Sequence, residues 1–282
     1  MMATMLALWL SGCETTLFRF VNRGLPPPDM TVSFAPDVGL SMDVYRPRVV
    51  TGVKAPVVVF FYGGSWKRGN REQYHFVGQR LADNGVLAVI ADYRTYPAVM
   101  FPGFMDDAAR AVRRAHDDAA GWGGDPDRLF VAGHSAGAQI AALLATDPRY
   151  LQAHGLEPAQ LAGVIGISGP YDFNVTGDLV DVFGSPSLWP RAQAVNFVDG
   201  NEPPFLLLHG TGDKVVEYAD SVQLAEKLRS NGTPATLKLL PDVGHIKPLL
   251  GLYDPKRAPD VLVETLAFIK SGGITSSAPA KH

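Results

Sequence analysis

The run Gly133-His134-Ser135-Ala136-Gly137 constrains this chain more than any other stretch, because it asks the backbone to reverse within five residues. Before it lies a short apolar run, Arg128 to Ala132, that reads as a buried strand; after it Ala138 to Ala145 reads as a mostly buried helix. A serine on a strand-to-helix turn of this kind has its hydroxyl exposed at the end of a sheet, and residues two before and two after must be small enough to let the turn close. Gly133 and Gly137 meet that demand. Taken by itself the pentapeptide is a weak signal, and its flanks make it a strong one.

The rest of the chain supplies the sheet that such a turn needs. Short apolar runs at 56–62, 86–91, 128–132, 161–168 and 205–209 are separated by segments with helical periodicity at about 71–84, 103–119, 136–146, 217–230 and 258–270. Continuous apolar runs suit strands buried on both faces. Two strands at 30–35 and 40–46 precede them, the second alternating in polarity, and a last strand is expected at 235–240. The pattern predicts an α/β domain with a mostly parallel sheet of about eight strands, an antiparallel edge, and functional groups on loops at the carboxyl ends of the strands. With 46% apolar and 19% charged residues, 282 residues can bury a full core.

Five segments are expected: a signal at 1–12, a tether at 13–28, one catalytic domain at 29–270, within it a helical cap at 172–200, and a disordered tail at 271–282. The apolar run Met5 to Leu10 leads into Leu10-Ser11-Gly12-Cys13, which resembles a bacterial lipoprotein signal although no Lys or Arg precedes it. Cleavage before Cys13 would let its thiol carry lipid and anchor the protein in the cell envelope; a cytoplasmic location is the alternative if the segment is not a signal. Pro26-Pro27-Pro28 suggests a stiff tether. A formal net charge of -3 provides no basic field to attract nucleic acid.

A serine hydroxyl needs a base, and the base needs an acid to orient it. Of the histidines after Ser135, His282 is terminal, His154 lies in a polar loop, and His209 closes a strand. His245, just after the last strand, is the candidate base. Asp213, in His209-Gly210-Thr211-Gly212-Asp213, is the candidate acid, ahead of Glu217, Asp220 and Asp242. Tyr62-Gly63-Gly64-Ser65-Trp66 follows a strand and exposes amides, so the N–H groups of Gly64, Ser65 and Ala136 are expected to converge as an oxyanion hole. No metal or organic cofactor is expected, since no His, Cys and carboxylate cluster has ligand spacing.

These motifs, together with Asp43-Val44-Tyr45-Arg46-Pro47, Asp92-Tyr93-Arg94 and Gly124-Asp125-Pro126-Asp127-Arg128, resemble those of the α/β-hydrolase superfamily. Within it they are similar to the esterases related to hormone-sensitive lipase, kynurenine formamidase and isoprenylcysteine methylesterase. The resemblance spans residues 40 to 250. It implies an α/β-hydrolase fold, a serine carboxylesterase acting on small to medium esters through an acyl-enzyme, and Ser135, His245 and Asp213 as nucleophile, base and acid. Tyr62 stands where many relatives have histidine, and Ser65 where lipase-like members have a third glycine. Trp66 is expected to wall the substrate pocket, with packing against the cap as the alternative, and His134 to lie beside the nucleophile at the substrate. An arylformamidase or amide hydrolase could use the same groups, and a lipid-anchored binding protein without activity is the reading outside enzymes.

Overall fold

The computed structural model describes residues 16–49 and 52–273. The lipoprotein signal, Cys13 and most of the expected tail lie outside the described residues.

One sheet of eight strands runs through the domain. The strands are β1 (Met30–Ala35), β2 (Leu40–Tyr45), β3 (Ala55–Phe61), β4 (Leu87–Ala91), β5 (Gly124–His134), β6 (Leu161–Ile167), β7 (Phe205–Gly210) and β8 (Ala235–Leu240), in the spatial order β1-β2-β4-β3-β5-β6-β7-β8. Pairs involving β2 are antiparallel, and the other pairs, from β4 through to β8, are parallel. Val57 to Phe61 and Leu87 to Ala91 are buried at every position, so both faces of the sheet are covered there. On one side α3 (Gly103–Trp122) and α4 (Ala136–Thr146) pack on each other and on β3 and β5. A second group, α2 (His75–Asp83), α8 (Lys247–Tyr253) and α9 (Pro259–Lys270), is joined through α8. α7 (Tyr218–Ser230) covers β7 and β8, and α5 (Pro148–Gln152) extends α4 after a break at Asp147.

The segment 172–200 contains one α-helical turn, α6 (Leu179–Phe183), followed by 3-10 turns at Pro186–Ala192 and Ala194–Phe197. Proline at 186 and 190 limits helix length here. Phe183 is fully buried and meets Trp66 edge-on at 4.8 Å, which fastens this segment to the loop after β3.

The expected tether is corrected by the structure over its described part. Residues 16–21 form a helix, α1, that buries Phe18 and Val21. Phe18 packs its ring 5.1 Å from that of Tyr74, and Asn22 closes the turn: its side chain donates to the carbonyl of Gln73 at 2.9 Å and accepts from the N–H of Phe76 at 2.9 Å. Pro26 then accepts a hydrogen bond from Gln79. Phe18 and Val21 alone give too little periodicity to reveal a helix in the sequence. Replacing Phe18 with alanine is expected to cost about 3 kcal/mol, the scale for truncating a buried aromatic ring, read as a lower urea midpoint with an unchanged slope. A tether would show no change.

Candidate active site

β5 delivers Ser135 to the carboxyl end of the sheet. Its φ of 54° and ψ of -121° lie outside the ordinary basins, and its N–H donates to the carbonyl of Ile167 at 2.9 Å, holding the turn against β6. The two glycines allow this: a Cβ on Gly133 would run into the backbone of Gly137, and one on Gly137 into the carbonyl of Phe61.

Asp213 follows β7 and His245 follows β8, so two neighbouring strand ends carry the acid and base candidates. The loops are tied together: Gly212 donates to the carbonyl of Val243 at 3.1 Å and the N–H of Asp242 to Thr211 Oγ1 at 3.0 Å. Asp242, at φ 56°, is thereby used in the turn and is exposed. The result is a continuous run of contacts. His245 Nε2 is 2.9 Å from Ser135 Oγ, and His245 Nδ1 is 2.7 Å from Asp213 Oδ2. The Asp213 side chain is fully buried and the His245 side chain 14% exposed.

His209, set aside in the sequence as a strand-closing residue, also belongs to this set. Its Nε2 is 3.2 Å from Asp213 Oδ2, and its Nδ1 is 2.7 Å from Ser221 Oγ. If Ser221 donates to Nδ1, the proton sits on Nε2 and points at the carboxylate. Asp213 Oδ1 accepts the N–H groups of Val215 and Val216 at 2.8 and 3.0 Å. Burial pushes the Asp213 carboxyl up, but the hydrogen bonds from His209 and His245 outweigh it and hold the group well below the usual carboxylate range. A histidine ending an apolar strand is indistinguishable in sequence from a core residue; only the tertiary approach of Ser221 and Asp213 exposes its role.

The other candidates fall around Ser135. Gly64, Ser65 and Trp66 all have positive φ, at 137°, 54° and 56°, and the loop they form lines the same cavities as Ser135. Gly63 lets this loop touch the elbow, since a Cβ there would sit 2.9 Å from His134 Nδ1 and 3.1 Å from Ser135 Cβ. Behind it Tyr62 and Tyr93 stack at 4.5 Å and exchange hydrogen bonds, each hydroxyl donating to the other's carbonyl. Trp66 both walls the cavity and packs: its Nε1 donates to Gln139 at 3.1 Å, and its ring stacks on Phe173 at 5.4 Å. His134 lines the cavity on the His245 side and links three elements. Gly63 N–H donates to the Tyr74 hydroxyl, which bonds His134 Nδ1 at 3.2 Å, and His134 Nε2 lies 3.3 Å from the His245 carbonyl. Burial, reinforced by the neighbouring His245, holds the His134 imidazole down to about 3, so it is neutral at physiological pH.

Farther away, Asp92-Tyr93-Arg94 braces loops: Arg71 bridges Asp43 and Asp92, and Arg94 forks onto buried Asp107. Asp125 accepts the N–H of Asp127 in a local turn. His154 pairs with Asp106 at 2.7 Å, away from these groups. Among the described residues, no group of three or more His, Cys, Asp or Glu could hold a metal ion.

The BD-FAE family profile matches residues 42–228, which carry the glycine loop after β3, the serine turn and Asp213. The chain belongs to the BD-FAE family. It is 31% identical over 257 residues to a probable isoprenylcysteine alpha-carbonyl methylesterase of Oryza sativa subsp. japonica, covering 81% of this chain and 59% of that protein. Esterase LipC of Mycobacterium tuberculosis is 31% identical over 249 residues, covering 80% and 60%. The chain thus spans about three fifths of the length of these two relatives. Among solved structures, a thermophilic esterase of Thermogutta terrifontis with bound propionate superposes with a TM-score of 0.75 at 22% identity, covering 89% of this chain and 97% of that one. A truncated carbohydrate esterase from gut microbiota gives 0.74 at 18% identity, covering 88% and 99%. The BD-FAE chain described here therefore has the α/β-hydrolase fold expected from its motifs.

Proposed function

We propose that this BD-FAE chain is a serine carboxylic ester hydrolase acting on small to medium esters. The observation that carries the reading is the hydrogen-bonded run Ser135–His245–Asp213, at 2.9 and 2.7 Å. Ser135 Oγ attacks the ester carbonyl carbon while His245 Nε2 takes its proton; Asp213 fixes the tautomer of His245 and stabilises the imidazolium. The carbonyl oxygen, now negative, is met by the amides of Gly64, Ser65 and Ala136. Collapse breaks the bond to the alcohol oxygen, which leaves with the proton from His245. Water, deprotonated by His245, then attacks the acyl-serine and releases the acid and the free enzyme. The names of the relatives, which are esterases, support ester over other acyl compounds as substrate. Cavities of about 380 and 280 Å³ on the two sides of Ser135 suit small to medium groups.

Incubation with a fluorophosphonate, followed by peptide mapping, is expected to place one adduct per chain on Ser135 and to abolish hydrolysis of p-nitrophenyl butyrate. Turnover that survives full labelling, or a folded protein that takes no label, would sink the reading.

In this scheme His209 is a positioning residue that holds Asp213. Losing a hydrogen bond to a charged group costs about 1.5–3 kcal/mol, or roughly 10- to 100-fold in rate. His209→Leu is expected to lower kcat on that scale with KM little changed. His209→Gln, whose amide can still donate toward the carboxylate, is expected to recover most of it. Equal losses in both variants would reduce His209 to a packing role.

A further inference from the structure

The two cavities that meet at Ser135 differ in what they contain, and the reaction assigns them to different halves of the substrate. Ser65 and Ser135 line both. His245 lines only the smaller one, together with Phe18, Arg68, Gln73 and Tyr74. Ala136 lines only the larger one, with Trp66, Phe173, Asp172, Glu217 and Asp220. Resting on the ester-hydrolase reading above, the imidazolium of His245 must hand its proton to the alcohol oxygen as that bond breaks, so the oxygen has to come within hydrogen-bond reach of Nε2. The alcohol then extends into the cavity His245 faces. The acyl group, held on the other side of the tetrahedral carbon, extends into the cavity it does not face.

Charge separates the two cavities as well. Among the described residues, Asp172, Glu217 and Asp220 line the larger one and no Lys or Arg does. Asp220 is 6% exposed, and its Oδ2 accepts the N–H of Tyr171 at 3.2 Å. Burial, with the like charges of Asp172 and Glu217 beside it, pushes its carboxyl up to about 7. Among the described residues, Arg68 lines the smaller cavity and neither Asp nor Glu does.

We propose that the cavity of Trp66, Phe173 and Asp220 receives the acyl group and the cavity of Phe18, Arg68 and Tyr74 the alcohol, so that the enzyme rejects esters bearing a carboxylate on the acyl side and accepts them with a carboxylate on the alcohol side. Asp220 and Glu217 are then specificity-determining residues for the acyl group, and helix α1 contributes to alcohol binding through Phe18.

Two isosteric pairs test this by kcat/KM in a pH-stat at pH 9, where the Asp220 carboxyl is ionised. Monoethyl succinate against ethyl 4-methylpentanoate places the carboxylate on the acyl side; carboxymethyl butyrate against isobutyl butyrate places it on the alcohol side. The first pair is expected to differ by at least about 30-fold in favour of the neutral ester, the scale of a like-charge clash in a cleft. The second is expected to stay within about threefold. Asp220→Asn should raise the succinate-to-pentanoate ratio about tenfold, and Glu217→Gln, an exposed position, should raise it in the same direction where the buried change disturbs folding. Arg68→Gln should lower the ratio of the second pair alone. A penalty that falls on the alcohol-side carboxylate, or a succinate ratio unmoved by both acidic substitutions, would overturn the assignment while leaving ester hydrolysis intact. Absence of turnover on the neutral esters and of fluorophosphonate labelling would instead refute the ester-hydrolase reading itself.

Discussion

Replacing Ser135 with alanine is expected to lower kcat by about 10⁴-fold or more on p-nitrophenyl butyrate while leaving the thermal midpoint within a few degrees. The size of the loss follows from what Oγ does. In the proposed mechanism it is the atom that forms the covalent bond, and water entering the space would lack the fixed 2.9 Å contact with His245. The fold has little reason to respond. Ser135 makes its packing contribution through its backbone, by the hydrogen bond to Ile167 and by starting α4, and alanine keeps both. Its φ of 54° is as costly for alanine as for serine, so the strain stays where it is. A loss under tenfold would remove Ser135 from the mechanism. A large fall in midpoint would mean that the hydroxyl supports the fold.

Much of this site is legible in the sequence, because the sheet does the assembling. Ser135, Asp213 and His245 each follow a strand of a largely parallel sheet, and parallel strands put their carboxyl ends on one side. Glycine marks the loops: Gly133 and Gly137 at the turn, Gly63 and Gly64 in the loop after β3, Gly210 and Gly212 before Asp213. What stayed hidden depended on contacts between distant residues. α1 shows its role only through Tyr74 and Phe76. α8 is short and contains Gly251, which argues against a helix, yet it is buried between α2 and α9, where packing outweighs propensity. In the sequence Asp220 is one of several carboxylates near the helix after β7, and its burial against Tyr171 beside the cavity is a property of the folded chain alone.

Asp213→Asn is expected to lower kcat by about 10⁴-fold, nearly as much as losing the nucleophile, although it changes a single atom. The carboxylate accepts from four N–H groups: His245 Nδ1, His209 Nε2, and the amides of Val215 and Val216. An asparagine must turn its NH₂ toward one of these pairs. Facing the valine amides would oppose two fixed donors, so the side chain is expected to present its NH₂ to the imidazoles. His245 then accepts at Nδ1 and carries its proton on Nε2, the nitrogen that takes the proton of Ser135 in the proposed mechanism. The base is thereby blocked without being removed. Stability should respond with a definite sign. Because the folded state holds the Asp213 carboxyl below its unfolded value, the ionised group contributes stability that is present above the unfolded pKa and lost as pH falls through the folded one. The wild-type protein is therefore expected to be more stable than the variant at pH 7, with the gap narrowing as the solution is made acid. Urea midpoints measured from pH 7 down to pH 3 would follow it. A gap that widens on acidification would show that Asp213 is not held as an ion, and near wild-type turnover in Asp213→Asn would show that another group orients His245.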